Sequence, residues 1–254
     1  PDREGFAFDN FFIGERTRTV LLENFTNTSE TQITQRESDF LKTFDVEDDE
    51  GTVLVKINYH TDFPGTDPFN EVNKVDPSAR ALFYDIDQTP TAIIDGIIGN
   101  PSGLPFSEWG RTSFEQRSLI LAEFDVNLNV TTQNGSILIE AIPTPQNNAV
   151  LNQDLIIVAA VLEKTVSLAQ LGINSVPSGE DEFEFVLRKL LPNAAGIILN
   201  TEGAQSQIPM NTVTFEWVPT NVLDLSNLAV VVMVQDQNTK EVYQSELLIT
   251  RKSL

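Results

Sequence analysis

No cysteine occurs among the 254 residues. Thiol–disulfide exchange needs a thiolate nucleophile, so redox chemistry through the chain's own thiols is excluded. Histidine is nearly as scarce, with His60 the only one. A zinc site built from several histidine or cysteine ligands is therefore ruled out by count. Basic residues are few, 16 against 37 acidic ones, for a formal charge of -21. Clustered lysine and arginine are what hold phosphate backbones, so there is no nucleic-acid partner to expect, and an anionic membrane surface is disfavoured for the same reason. No apolar run approaches the roughly 20 residues of a transmembrane span. Neither a Walker loop nor a dinucleotide glycine fingerprint is present, which argues against nucleotide cofactors. No secretory leader is visible, and the chain starts at Pro1 without a Met, which suggests that a leader has been removed.

What remains is enough for folded domains. The length suits two cores better than one, and 41% of the residues are apolar, so wholesale disorder is not expected. The first part mixes strand and helix signals. Val20 to Phe25 reads as a buried strand, and Thr28 to Phe40 as a helix with Ile33, Phe40 and Leu41 on one face. An acidic turn at Glu47 to Gly51 leads into a strand from Thr52 to Tyr59. After a loop rich in Pro, Gly and Asp (His60 to Asn70), a helix is expected from Asn73 to Phe83. A strand follows from Thr91 to Ile94, then a turn at Asp95-Gly96 and a helix from about Ser107 to Ala122. Strands alternating with helices imply a small α/β sheet.

Past residue 122 the pattern changes. Phe124, Val126, Leu128 and Val130 alternate with polar residues, the period of a strand with one buried face. Asn134-Gly135 is a strong two-residue hairpin signal before the strand Ile137 to Ile142. Further strands are expected at 155–162, 183–190, 212–218, 228–234 and 242–249, with a second hairpin at Asp236 to Thr239. Seven short strands with little helix read as a β-sandwich. The expected domains are therefore residues 1–122 and 123–254.

Several residues invite a chemical reading. A Ser–His–Asp arrangement would have to use His60, with Asp62, Asp67 and Ser78 nearest in sequence, but no Gly-x-Ser-x-Gly elbow accompanies them. The simpler role for His60 is a loop residue at a strand end. Asp45, Glu47 and Asp49 alternate as in a calcium loop, yet Glu50 occupies the glycine position and Lys56 the bidentate glutamate position. Asp85 and Asp87 fail similarly, with Pro90 at the glycine position. No cofactor is expected, although the acidic loops leave room for a calcium ion. Asn24, Asn27, Asn129 and Asn134 begin N-glycosylation patterns. Trp217, Phe183 and Phe185 read as packing residues. Loops 175–181 and 200–209 are where a rigid sandwich would carry binding.

In order and spacing, five stretches resemble the Omp28-related family of Bacteroidetes envelope proteins. They are Val20-Leu-Leu-Glu-Asn-Phe-Thr26, Ile57 to Gly65 with Asp67 to Asn70, Thr89-Pro-Thr-Ala-Ile-Ile-Asp-Gly96, Val186 to Pro192 with Gly196, and Leu228 to Gln235 with Thr239 to Gln244. The resemblance implies an N-terminal thioredoxin-like domain followed by a C-terminal immunoglobulin-like β-sandwich. Many relatives carry Cys-x-x-Cys-Pro after the Phe-Thr pair. Here Glu30 and Ile33 fall at the cysteine positions and Thr34 at the proline position, so the family's redox role is withdrawn. The resemblance further implies that Pro90 is the cis-proline facing this turn. Glu30, Ile33, Thr34, Thr89 and Pro90 then line a candidate groove, which neighbouring side chains could equally fill.

The resemblance implies an address more than a reaction: an exported protein of the envelope, outer membrane or surface, often a lipoprotein or secreted cargo. The expectation is a non-enzymatic protein that binds or assembles with an outer-membrane or surface partner, or with itself as an oligomer. Sandwich edge strands are templates for such pairing, and Val242 to Ile249 is the strand expected to serve. The alternative is a peptide-binding or chaperone-like module that uses the groove around Pro90.

Overall fold

A computed structural model describes residues 16–31, 54–105, 108 and 110–250. The expected helix at Thr28 to Phe40, including Ile33 and Thr34, lies outside the described residues from position 32 onward, as do the acidic turn and the Asp45/Glu47/Asp49 triplet. Residues 28 and 29 form a turn.

Strand β1 (Val20–Thr26) pairs in parallel with β2 (Leu54–His60), with Val20 opposite Leu54 and Thr26 opposite His60. Then come two helices, α1 (Pro68–Val72) and α2 (Val75–Tyr84). Strand β3 (Thr91–Ile94) returns antiparallel to β1, and the two-residue β4 (Leu104–Pro105) pairs with β3. Helix α3 (Arg111–Ser118) is shorter than the expected Ser107 to Ala122. Helix α1 sits inside the expected loop. Asp67 caps it through Phe69 N and Asn70 N, and Pro68 takes the first turn, where a missing N–H costs nothing.

The second half opens with β5 (Phe124–Gln133) and β6 (Ser136–Pro145), joined by Asn134 and Gly135 at φ 52° and 82°. That is the positive-φ pair a two-residue hairpin demands. The chain continues through β7 (Leu155–Ser167), α4 (Leu168–Leu171), β8 (Glu182–Leu191), β9 (Ile197–Ile198), β10 (Val213–Trp217), β11 (Leu228–Asp236) and β12 (Val242–Ile249). The protein is mostly β, with a large mixed sheet and a separate three-stranded sheet in the order β10-β6-β5.

The large sheet runs β12-β11-β7-β8-β2-β1-β3-β4, with β9 attached to β7. It therefore takes strands from both sides of residue 122. The joint is narrow, a parallel pairing of Asn58 with Val186 between β2 and β8. Side chains reinforce it: Asn58 Nδ2 donates to Glu184 O at 2.5 Å, and Lys56 lies 3.6 Å from Glu184.

Strand β7 explains why the two halves share a core. Ile156, Val158, Ala160 and Leu162 pack with Leu21, Ile57, Tyr59 and Tyr84 from the first half. The intervening Leu155, Ile157, Ala159 and Val161 pack against Phe124, Ile139 and Phe215 of the small sheet. Burial on both faces is what an unbroken apolar run such as Leu155 to Leu162 serves, whereas the alternating β5 buries only one face.

Two polar knots tie this core. Glu23 is fully buried and accepts from Arg80 Nε (2.6 Å), Arg80 Nη2 (2.9 Å), Tyr59 Oη (2.9 Å) and Tyr84 Oη (2.7 Å). Arg80 also donates to Gln235 Oε1 on β11, and Gln235 Nε2 donates to Tyr84 Oη. Burial and the negative charge of Glu23 hold both tyrosine hydroxyls well above their usual range. Burial alone would lower the Arg80 pKa, but Glu23 together with Tyr84 and Tyr59 more than reverses that.

The second knot is Asp95, just past β3. Its carboxylate accepts from Leu21 N and Arg117 Nε, and its carbonyl accepts from Val242 N at 2.9 Å. Gln244 spans Thr19 N and Thr17 O, and Ser245 Oγ donates to Thr19 O. The first half of β12 is thus already bonded to the region ahead of β1. Contrary to expectation it offers no open edge there, because its outward N–H at Val242 is spent on Asp95.

Breaking a buried ion pair leaves an uncompensated charge. Arg80→Met should therefore cost about 3–5 kcal/mol, read as a lowered urea midpoint. Because the knot reaches from α2 to β11, fluorescence and circular dichroism should still report one coincident transition.

Candidate functional site

The carboxyl ends of β1 and β2 and the start of β3 meet at one end of the large sheet. The turn leaving β1 is pinned there by Asn27, which is fully buried. Its Nδ2 donates to Thr61 O (2.8 Å) and Gly65 O (2.7 Å), and its Oδ1 accepts from Ser29 N. Gly65 fits because an added Cβ would lie 2.7 Å from Ser29 Oγ. With the turn fixed, half-buried Glu30 reaches across to Thr89, whose Oγ1 donates to Glu30 Oε1 at 3.1 Å. Thr89 Oγ1 also lies 3.4 Å from Phe63 O. The Thr89–Pro90 peptide bond is cis, and the ladder between β1 and β3 begins only at Thr91. Glu30, Thr89 and Pro90 are therefore brought together, whereas Ile33 and Thr34 lie outside the described residues.

His60 is the last residue of β2 and only 4% exposed. Its Nδ1 lies 2.9 Å from Asp67 Oδ2. Asp67 also accepts from Thr28 N, Phe69 N and Asn70 N. Burial would push the Asp67 carboxyl up, but the charge and hydrogen bond of His60 and the backbone donors hold it below its ordinary value. The imidazole is caged by Phe69, with ring centroids 4.3 Å apart, and by Phe183 at 5.8 Å. Asp62 and Ser78 are both exposed and neither is hydrogen-bonded to His60. The His60–Asp67 pair thus sits within packing, away from the serine that a hydrolytic triad would need.

The second half closes one flank of the site. Ser178 N donates to Thr28 O at 3.0 Å, laying the loop 175–181 over the turn after β1. Burial raises the Glu180 carboxyl, with Ser178 and the charge of His60 opposing. Glu180 carries no motif, and only the fold places it beside His60. The Asp67-Pro68 step, by contrast, is a helix-start signal present in the sequence. Asn24 and Asn27, two of the glycosylation-type asparagines, are buried, while Asn129 and Asn134 are exposed. Asp85 and Asp87 are exposed, and no group of metal-ligating side chains that could hold an ion occurs among the described residues.

No protein-family model matches the chain, and no curated protein does. Among solved structures it is similar to HBP35 of Porphyromonas gingivalis, with a TM-score of 0.73 at 14% identity over 95% of this chain and 79% of that one. It is also similar to protein AGR_C_4864 from Agrobacterium tumefaciens, with a TM-score of 0.57 at 13% identity over 95% and 98% of the two chains. A domain of the outer membrane lipoprotein Omp28 from Porphyromonas gingivalis aligns with 52% of this chain and 91% of its own, at 14% identity and a TM-score of only 0.33. At these identities the first two matches establish a shared fold. Among the described residues no helix is long and apolar enough to cross a membrane.

A carboxyl held below its unfolded value stabilises the fold at neutral pH and loses that contribution as pH falls through the lowered value. Asp67→Asn should cost about 1–3 kcal/mol at neutral pH. The gap from the unmodified protein should narrow as pH drops below about 4, as urea titrations at several pH values would read.

Proposed function

We propose that this chain is a non-enzymatic, exported protein of the cell envelope or surface that acts by binding or assembly with an outer-membrane or surface partner. In this reading the first half is a cysteine-less thioredoxin-like domain and the second an immunoglobulin-like β-sandwich. The order β2-β1-β3-β4, with β1 and β2 parallel and β3 antiparallel to β1, supports the first assignment. The small sheet packed on β7 and β11 supports the second.

The observation that carries the functional reading is the Glu30–Thr89 hydrogen bond. Where a redox relative would present a thiolate, this chain places an acid already engaged by the residue before Pro90. In this reading the acid is held by its neighbour across the turn. Relation to the Omp28-related family rests on the quoted sequence stretches and on the fold shared with HBP35. The likeness to an Agrobacterium protein means that the fold alone does not fix the source.

Assembly through the start of β12 is withdrawn, since that segment is bonded to Asp95 and Thr19. The outer edge of β10 is the sandwich edge that this reading now uses: β10 pairs with β6 on one side, and its Thr214 and Glu216 are exposed. A pull-down from native envelope with the full chain as bait should recover a defined outer-membrane or surface protein, or the chain itself as an oligomer. Thr214→Pro should reduce that recovery while the circular dichroism spectrum is kept. Recovery of neither class of partner would sink the proposal.

A second reading is favoured by Thr89 and Pro90 lying outside the strand ladder, where an extended peptide could pair. Thr89→Trp would then weaken peptide binding at least several-fold in fluorescence titrations and leave thermal stability nearly intact. Unchanged binding would remove this reading.

A further inference from the structure

At the opposite end of β1 from the candidate site, where α3 gives way to β5, lies a cavity of about 450 Å³. That is within the range of small-molecule sites. Leu121, Ala122 and Phe124 form its apolar wall, and Asp125, Gln146 and Gln207 its polar side. Leu121 is 53% exposed and stands at the end of an exposed apolar run that begins with Leu119 and Ile120. Ala122 and Phe124 are buried, whereas Asp125 and Gln207 are exposed, so the floor is apolar and the rim polar.

The hydrogen-bond inventory of the polar side is lopsided. Gln244 also lines the cavity, but its amide is committed to Thr17 O and Thr19 N. Gln146 Nε2 donates to Thr144 O, and Gln207 Nε2 donates to Gln146 Oε1 at 2.9 Å. The amide donors are thus drawn inward to protein acceptors. Acceptors are left over: no side-chain or backbone donor among the described residues is bonded to the Asp125 carboxylate or to Gln207 Oε1. Gln207 is also held at φ 65°, a conformation that is costly for a residue other than glycine.

The local charge points the same way. Glu246 lies two residues beyond Gln244 on the same face of β12, and burial together with the charge of Asp125 pushes its carboxyl up. The cation beneath, Arg18, is already taken by Asp95 and by the carbonyls of Ile120, Leu121 and Val242. A cavity with an apolar floor and a rim of exposed acceptors that includes a carboxylate suits a ligand that is an aliphatic chain ending in a cationic donor.

We infer that this cavity binds a primary alkylammonium group, supplied either by a free aliphatic diamine or by a lysine side chain. The methylene stem lies along Leu121 and Ala122, and the ammonium donates to Asp125 and Gln207 Oε1.

Calorimetric titration of the full chain with cadaverine, and separately with Nα-acetyl-lysine methylamide, tests this. One-site binding of either probe is expected, and the tighter of the two names the source. Asp125→Lys should weaken it about tenfold or more, equivalent to about 1.4 kcal/mol. Glu202→Lys, the same charge change at an exposed loop residue, should leave it unchanged. Should Asp125→Lys misfold by circular dichroism, Asp125→Asn serves with a loss of several-fold. Equal binding by the Asp125 and Glu202 variants would mean general attraction to an acidic surface and would overturn the inference. Pentanol binding as tightly as cadaverine, or no binding of either amine at millimolar concentration, would overturn it as well.

Discussion

The structure hangs on the Glu23–Arg80 pair. Taking two charges out of water costs several kcal/mol per ion, which an ion pair recovers only with good geometry and further hydrogen bonds. Here Arg80 meets Glu23 through two nitrogens, and Tyr59 and Tyr84 supply the remaining donors. The bond from Arg80 to Gln235 then fixes where β11 stands relative to α2. Apolar packing around Ile57, Val158 and Val231 supplies most of the burial, but packing is tolerant of small shifts in register. The polar knot is less tolerant, because sliding β11 by one residue would pull Gln235 away from Arg80 and Tyr84.

The same logic separates the two ends of β1. At its start, Asp95, Arg18 and Gln244 bind the residues just ahead of β1 to the last strand. At its end, Asn27 and Asp67 organise a turn that leaves Glu30 facing Thr89. The turn keeps its geometry through backbone acceptors and a capped helix, with Glu30 held by Thr89.

Local features were legible in the sequence. The Asn134-Gly135 hairpin, the alternating Phe124 to Val130 strand and the Thr91 to Ile94 strand after Pro90 all depend on nearest-neighbour conformational preference, which a short window contains. His60 at the end of a strand was legible as well, and Asp67, its partner, was already among the nearest acids. The continuity of the sheet was not legible, because it depends on one pairing, Asn58 with Val186, between residues far apart in the chain. Nor was the Glu23 knot, whose members at 23, 59, 80, 84 and 235 share no spacing. The unbroken runs Leu155 to Leu162 and Leu228 to Val234 did hold a clue. Their lack of alternation marks strands covered on both faces, which a sandwich standing alone would not require.

The double-sided burial of β7 and β11 has a consequence for how the molecule comes into being. The first 122 residues hold α2, Tyr59 and Ile57 ready for a core whose far wall comes from β7, β8 and β11 in the second half. Emerging from a ribosome or a membrane pore, this chain cannot complete its first core until nearly all of it is available. Contacts so distant in sequence favour slow folding. A chain with this wiring stays threadable until its last strands are delivered, and then closes both cores together.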